Sequence, residues 1–163
     1  MQNEDAVMNA ISAAFKTNDR FLAVKDFLFQ VKDAKRKVSL IEGRIEFREE
    51  SMGARGASYT ERLSSGHDFS SSVVENTVAA LDELRRELAE AEQAYSDAKV
   101  AVSELCAGLE DVNQQSVITR RYISGQSWEK IALDMDMSVR SVQKLHGRAL
   151  PLLDALLKAR EAA

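Results

Sequence analysis

The chain has 163 residues and a formal net charge of −4, with 45% hydrophobic residues, seven glycines, one proline and one cysteine. That length suits one ordinary domain, or a small module joined to an elongated one, and the scarcity of helix breakers predicts an all-α fold without a sheet. A lone Cys106 excludes an internal disulfide. With no charged leader and no apolar run near the roughly 20 residues that span a bilayer, the expectation is a cytoplasmic protein with no membrane partner.

Asn3, Glu4 and Asp5 form a plausible helix start, so residues 1–18 are read as a short amino-terminal helix, with Thr17, Asn18 and Asp19 offering the next cap. From there apolar residues recur in steps of three and four at Val24, Phe27, Val31, Ala34, Val38, Ile41 and Ile45, a heptad seam expected to end near Ser51. Gly53 to Ser72 holds three of the seven glycines and six serines, which predicts a flexible connection at 53–72. A second seam follows at Val74, Thr77, Leu81, Leu84, Leu88, Ala91, Tyr95, Ala98, Val102, Leu105, Leu109 and Val112. One helix cannot bury such a stripe alone. Residues 19–112 are therefore expected to form a long antiparallel helical hairpin, reaching roughly 50 Å at about 1.5 Å per residue. The alternative is that the same leucines mediate a homodimer, and the two uses can coexist. Lys32, Lys35, Arg36 and Lys37 cluster on the first long helix, by default a solvated face, with auxiliary phosphate contact as the sharper alternative.

Beyond Val112 the punctuation changes. Gly125 can end a helix with positive φ, Ser127 can cap a helix starting at Trp128, Asp136 suits a left-handed turn, and Ser138 can cap another starting at Val139. Helix, tight turn, helix is the expectation for 113–163. Ile131, Ala132, Met135, Met137, Val142, Leu145 and Leu150 fit the inner faces of two steeply crossing helices, and Pro151 should kink or restart the last one. Val139, Arg140, Gln143, Lys144 and Gly147 then fall on the outward face of that helix, where double-stranded DNA could be read: Arg140 at guanine, Gln143 at adenine, Val139 at a thymine methyl. Phosphate contacts are expected from Arg120, Arg121, Ser127, Lys130, Ser138 and Arg148. Trp128, Tyr122 and His146 are read foremost as packing residues. Charge supports the division. Between Asn113 and Leu150 six cations face three anions, a local +3 that leaves −7 for the rest.

The run RRYISGQSWEKIALDMDMSVRSVQKLHGRAL resembles the region-four helix-turn-helix of bacterial sigma factors over roughly residues 114–156. The matching features are Arg121-Tyr122 before the glycine turn, the Ser127 to Ala132 run, the Ser138 cap, Val142 and Arg148-Ala149-Leu150. The whole chain resembles the phage and prophage sigma-region-four-like transcriptional regulators, which implies a bacterial host cell and RNA polymerase as a partner. Asp136 stands where many relatives carry glycine, and Val139 where sigma factors commonly have a polar base-reading residue. The aromatic-rich promoter-melting segment of sigma factors has no counterpart, so the resemblance implies a regulator rather than a complete sigma factor. Two alternatives remain: a packaging protein resembling a phage terminase small subunit, though those usually place the DNA module first, and a protein-docking adaptor. No enzyme, metal or cofactor is expected. The two histidines are His67 and His146, the His67-Asp68 pair among serines cannot hold a triad, and Gly53-x-x-Gly56 lacks the rest of a phosphate loop.

Overall fold

The computed structural model describes residues 21–59 and 69–163, with side chains described for 21–52 and 75–163. The short first helix, the Thr17–Asp19 cap and His67 lie outside the described residues. Every described element is helical: α1 (Leu22–Tyr59), α2 (Phe69–Ala107), α3 (Val112–Ile118) running into a π-helical turn (Thr119–Ile123), α4 (Trp128–Asp134) and α5 (Val139–Glu161). No described helix is long and apolar enough to cross a membrane.

The long helices pack against each other as a hairpin, so the heptad seams are used within the chain. Two compact units divide it, one of Asp33–Asp97, the other of Ala98–Ala163 with the described residues up to Lys32. In the first, Ile41, Leu81, Leu84 and Ala91 are buried. Its helix register is marked by Arg44 to Glu87 at 3.8 Å and Arg85 to Glu49 at 3.1 Å, where rising numbers on α1 meet falling numbers on α2. These exposed pairs label the antiparallel register more than they stabilise it. In the second unit Val24, Leu28, Val31, Val102 and Leu105 are buried. Leu28 lies beside the predicted seam position Phe27, which is only half-buried.

Two boundaries differ from expectation. The hairpin helices extend to Tyr59 and begin at Phe69, into the stretch assigned to the connection, of which 60–68 lie outside the described residues. Once a helix is running, each further residue adds a hydrogen bond at a penalty of about 1 kcal/mol for glycine relative to alanine, so Gly53 and Gly56 among alanines do not stop it without a proline. At the other end α2 stops at Ala107, and Val112, counted as a seam position, is 72% exposed as the first residue of α3. Asp111 is the reason, because its Oδ1 accepts the Asn113 amide at 2.8 Å and caps a new helix. A Cβ added at Gly108 would lie 2.9 Å from Leu156 Cδ1, so the bare backbone there lets the chain turn close beneath α5.

Helix α5 runs unbroken through Pro151, so it does not restart there. Pro151 removes one amide and crowds the carbonyl four residues back, which belongs to Gly147, where the absent side chain leaves that turn room to adjust. Ala149, Leu150, Leu153 and Leu157 bury the far half of α5, and Arg160 reaches Glu104 on α2 at 3.2 Å. The near half buries Val142 and leaves Arg140, Gln143, Lys144 and Gly147 exposed.

Candidate nucleic-acid interface

The turn that leads into α4 and the turn between α4 and α5 are built from four local choices. Gly125 has φ +69, and the amide of Gln126 wraps back to the Arg120 carbonyl at 3.0 Å across the widened π turn. The Ser127 hydroxyl oxygen accepts the Lys130 amide at 3.2 Å, opening α4. Asp136 has φ +53, a left-handed conformation that short polar side chains tolerate, while Met137 donates to the Ala132 carbonyl at 2.9 Å. The Ser138 oxygen then accepts the Ser141 amide at 3.1 Å and α5 begins. All four were legible as residue types. Replacing Ser127 or Ser138 by alanine is expected to cost about 0.5–2 kcal/mol each, read as a lowered denaturation midpoint, with Ser→Asp substitutions retaining most of the stability.

Beneath this turn Val117, Ile131, Ala132 and Val142 form a closed core, with Trp128, Met135, Met137, Val139 and Leu145 partly buried against it. On the outer side, Arg140, Gln143, Lys144 and Gly147 are exposed at spacings of three, one and three, which place them on one helical face, and Arg148 is exposed beside them. None of Arg140, Lys144 and Arg148 is in an ion pair among the described residues. Val139 differs. It is half-buried against the core, so its reach towards a base is shorter than that of its exposed neighbours.

No protein-family model, curated protein or solved structure matches this chain. The site therefore rests on its own geometry.

Several of the expected phosphate contacts are engaged internally. Arg120 Nη1 lies 3.0 Å from Asp134 Oδ2 and Lys130 Nζ 2.8 Å from its Oδ1. Lys130's hydrogen bond, reinforced by the nearby positive charges, holds the Asp134 carboxyl below its ordinary range. Arg121 Nη1 donates to the Gln126 carbonyl at 2.9 Å, and its guanidinium lies 4.5 Å from the Trp128 ring centroid, a cation–π contact. Arg121 thus fastens the glycine turn to α4. The exposed cations left on this side are those of α5.

A feature missed from sequence joins these parts. Tyr122 and His146 share a hydrogen bond of 2.9 Å between the phenol oxygen and Nε2 and stack at 5.8 Å between centroids. Trp128 meets His146 edge-on at 5.0 Å, and Phe29 of α1 meets Tyr122 edge-on at 5.2 Å. Burial pushes the His146 imidazole down to about 4, with Arg121 and Lys25 adding to the shift, so the ring is neutral and Nε2 can accept the phenol proton. Burial also raises the Tyr122 phenol. The cluster pins the start of α1, the π turn, α4 and the reverse side of α5 together. The signal available in sequence was the pair of adjacent apolar residues Leu28 and Phe29, of which a single heptad stripe can use only one.

Proposed function

We propose that this protein is a sequence-specific double-stranded DNA-binding transcriptional regulator, with the first half of α5 entering the major groove and the hairpin offering a surface to a protein partner such as RNA polymerase. The observation that carries the reading is the exposed face of Arg140, Gln143, Lys144 and Gly147, unencumbered by ion pairs, on a helix that starts at a serine cap immediately after a tight turn. Long polar side chains on such a face match the donor and acceptor patterns of base edges, and Gly147 permits close approach of the backbone. The resemblance to sigma region four and to phage-type regulators points the same way. Because Arg120, Arg121 and Lys130 are held internally, the phosphate role centres on Lys144 and Arg148.

The preferred site is to be selected from a random duplex library with the full chain, and affinity then followed by fluorescence anisotropy. Arg140→Ala is expected to weaken binding to that site by about 1–3 kcal/mol while leaving non-specific duplex nearly unaffected, and affinity should fall steeply as salt rises. Arg121→Ala should lower stability, with affinity per folded molecule retained. Absence of duplex affinity at low salt would sink the reading. Equal loss on specific and random duplex for Arg140→Ala would move that residue from base to phosphate.

A further inference from the structure

The outward side of α1 carries a second stripe that the hairpin does not use. Arg36, Leu40, Gly43, Phe47 and Glu50 follow one another at steps of four, three, four and three, the heptad spacing that keeps residues on one face. This is a different face from the seam of Val31, Ala34, Val38, Ile41 and Ile45, of which Val31 and Ile41 are buried and the other three half-buried. Leu40 is 64% exposed and Phe47 71% exposed, large apolar side chains that single-helix solvation does not favour. They border a surface groove with Gly43 between them, and nothing lies within 4 Å of where a Gly43 Cβ would be. Arg36 and Glu50 are exposed at the two ends, and Arg36 lies 3.5 Å from Asp33 on its own helix, an exposed pair weak enough to exchange partners.

The stripe is self-complementary. Leu40 and Phe47 stand three and four residues from Gly43, and Arg36 and Glu50 seven residues away on either side with opposite charge. A two-fold axis at Gly43 sets Arg36 opposite Glu50 of the second copy and Leu40 within one residue of its Phe47, the self-matching that an isologous contact requires. Glycine at the crossing point lets two backbones approach, as no side chain stands between them. A parallel partner would instead set Arg36 against Arg36 and Glu50 against Glu50. Like charges at matched positions oppose that arrangement.

We propose that this face of α1 is a self-association surface on which a second copy of the chain docks antiparallel, with Leu40 against Phe47 of the second copy, Arg36 against its Glu50, and the two Gly43 residues at the axis. The contact goes beyond the DNA-binding reading and does not depend on it. With only two large apolar residues per copy, dimerisation is expected in the micromolar range.

Sedimentation equilibrium of the full chain across that range is expected to show a shift from one chain mass to two. Phe47→Glu should weaken the dimer at least about tenfold with unchanged helicity, since the residue is exposed in the monomer. Arg36→Glu and Glu50→Arg should each weaken it, and the two changes together should restore it. For orientation, chains carrying Leu40→Cys mixed with chains carrying Phe47→Cys should form a disulfide faster than either alone. The native Cys106 does not compete, being buried with its thiol pushed up to about 11 by that burial. A monomer throughout, a dimer indifferent to Phe47→Glu, failure of the charge exchange to restore it, or faster linkage of Leu40→Cys chains to each other would each overturn the proposal. Duplex affinity, measured separately below the dimerisation range, reports on the DNA reading alone.

Discussion

Ile131→Ala is expected to destabilise the helix-turn-helix by about 2–5 kcal/mol, the range for removing a fully enclosed branched side chain from a core. Ile131 has no exposed surface, and its neighbours Val117, Ala132 and Val142 come from three different helices, so they cannot collapse into the void without moving the helices that carry them. A domain of this size holds only about 5–15 kcal/mol of net stability, so such a loss consumes a large part of it. Urea unfolding followed by helical circular dichroism measures the effect, and Leu133→Ala, on the same helix but 76% exposed, is the control with little change. An Ile131→Ala midpoint equal to that of the wild type would mean that α4 is not held by this core. Duplex affinity should decline with the folded fraction, since α4 sets the angle at which α5 is presented.

The second large effect is a loss of stability in mild acid traceable to His146. Its folded pKa of about 4 lies below its ordinary value of 6.5. A buried histidine held neutral binds fewer protons folded than unfolded between those values. Stability is therefore full above about pH 6.5 and falls as the pH drops towards 4, where the loss levels off. At about 1.4 kcal/mol per pH unit the loss approaches 3 kcal/mol, an order-of-magnitude figure. His146→Gln removes this titration while keeping a side chain able to hydrogen-bond Tyr122, so the difference in midpoint between wild type and variant should shrink from pH 7 to pH 4.5. Using that difference cancels the carboxylates, including Asp134 and Glu129, whose lowered pKa values place their own losses at lower pH. A difference independent of pH would show that His146 does not titrate in this window. Because His146 lies behind the exposed face of α5, the same titration should loosen that face.

Sequence and structure agree best where the physics is local. Gly125, Ser127, Asp136 and Ser138 each act through their own backbone or through an amide two or three residues away, so their residue types sufficed to locate the turn. The hairpin seams were also legible, because a repeat of three and four projects onto one face whatever it meets. Boundaries were less so. Gly53 and Gly56 have the composition of breakers, yet the energy to stop a helix already under way is larger than two glycines supply. Pro151 has the local chemistry of an interruption, and α5 passes through it with its far half anchored by buried leucines.

By itself the sequence determined an all-α chain, two long heptad helices and a capped helix-turn-helix with Arg140, Gln143, Lys144 and Gly147 on one exposed face, since periodicity and capping are properties of neighbouring residues. Only the tertiary structure decided which cations stay available. Arg120 and Lys130 converge on Asp134, and Arg121 lies on Trp128, because a turn brings residues up to fourteen positions apart within a hydrogen bond. The same holds for Phe29, Tyr122 and His146: their meeting depends on how helices distant in sequence cross, and no local pattern encodes that crossing.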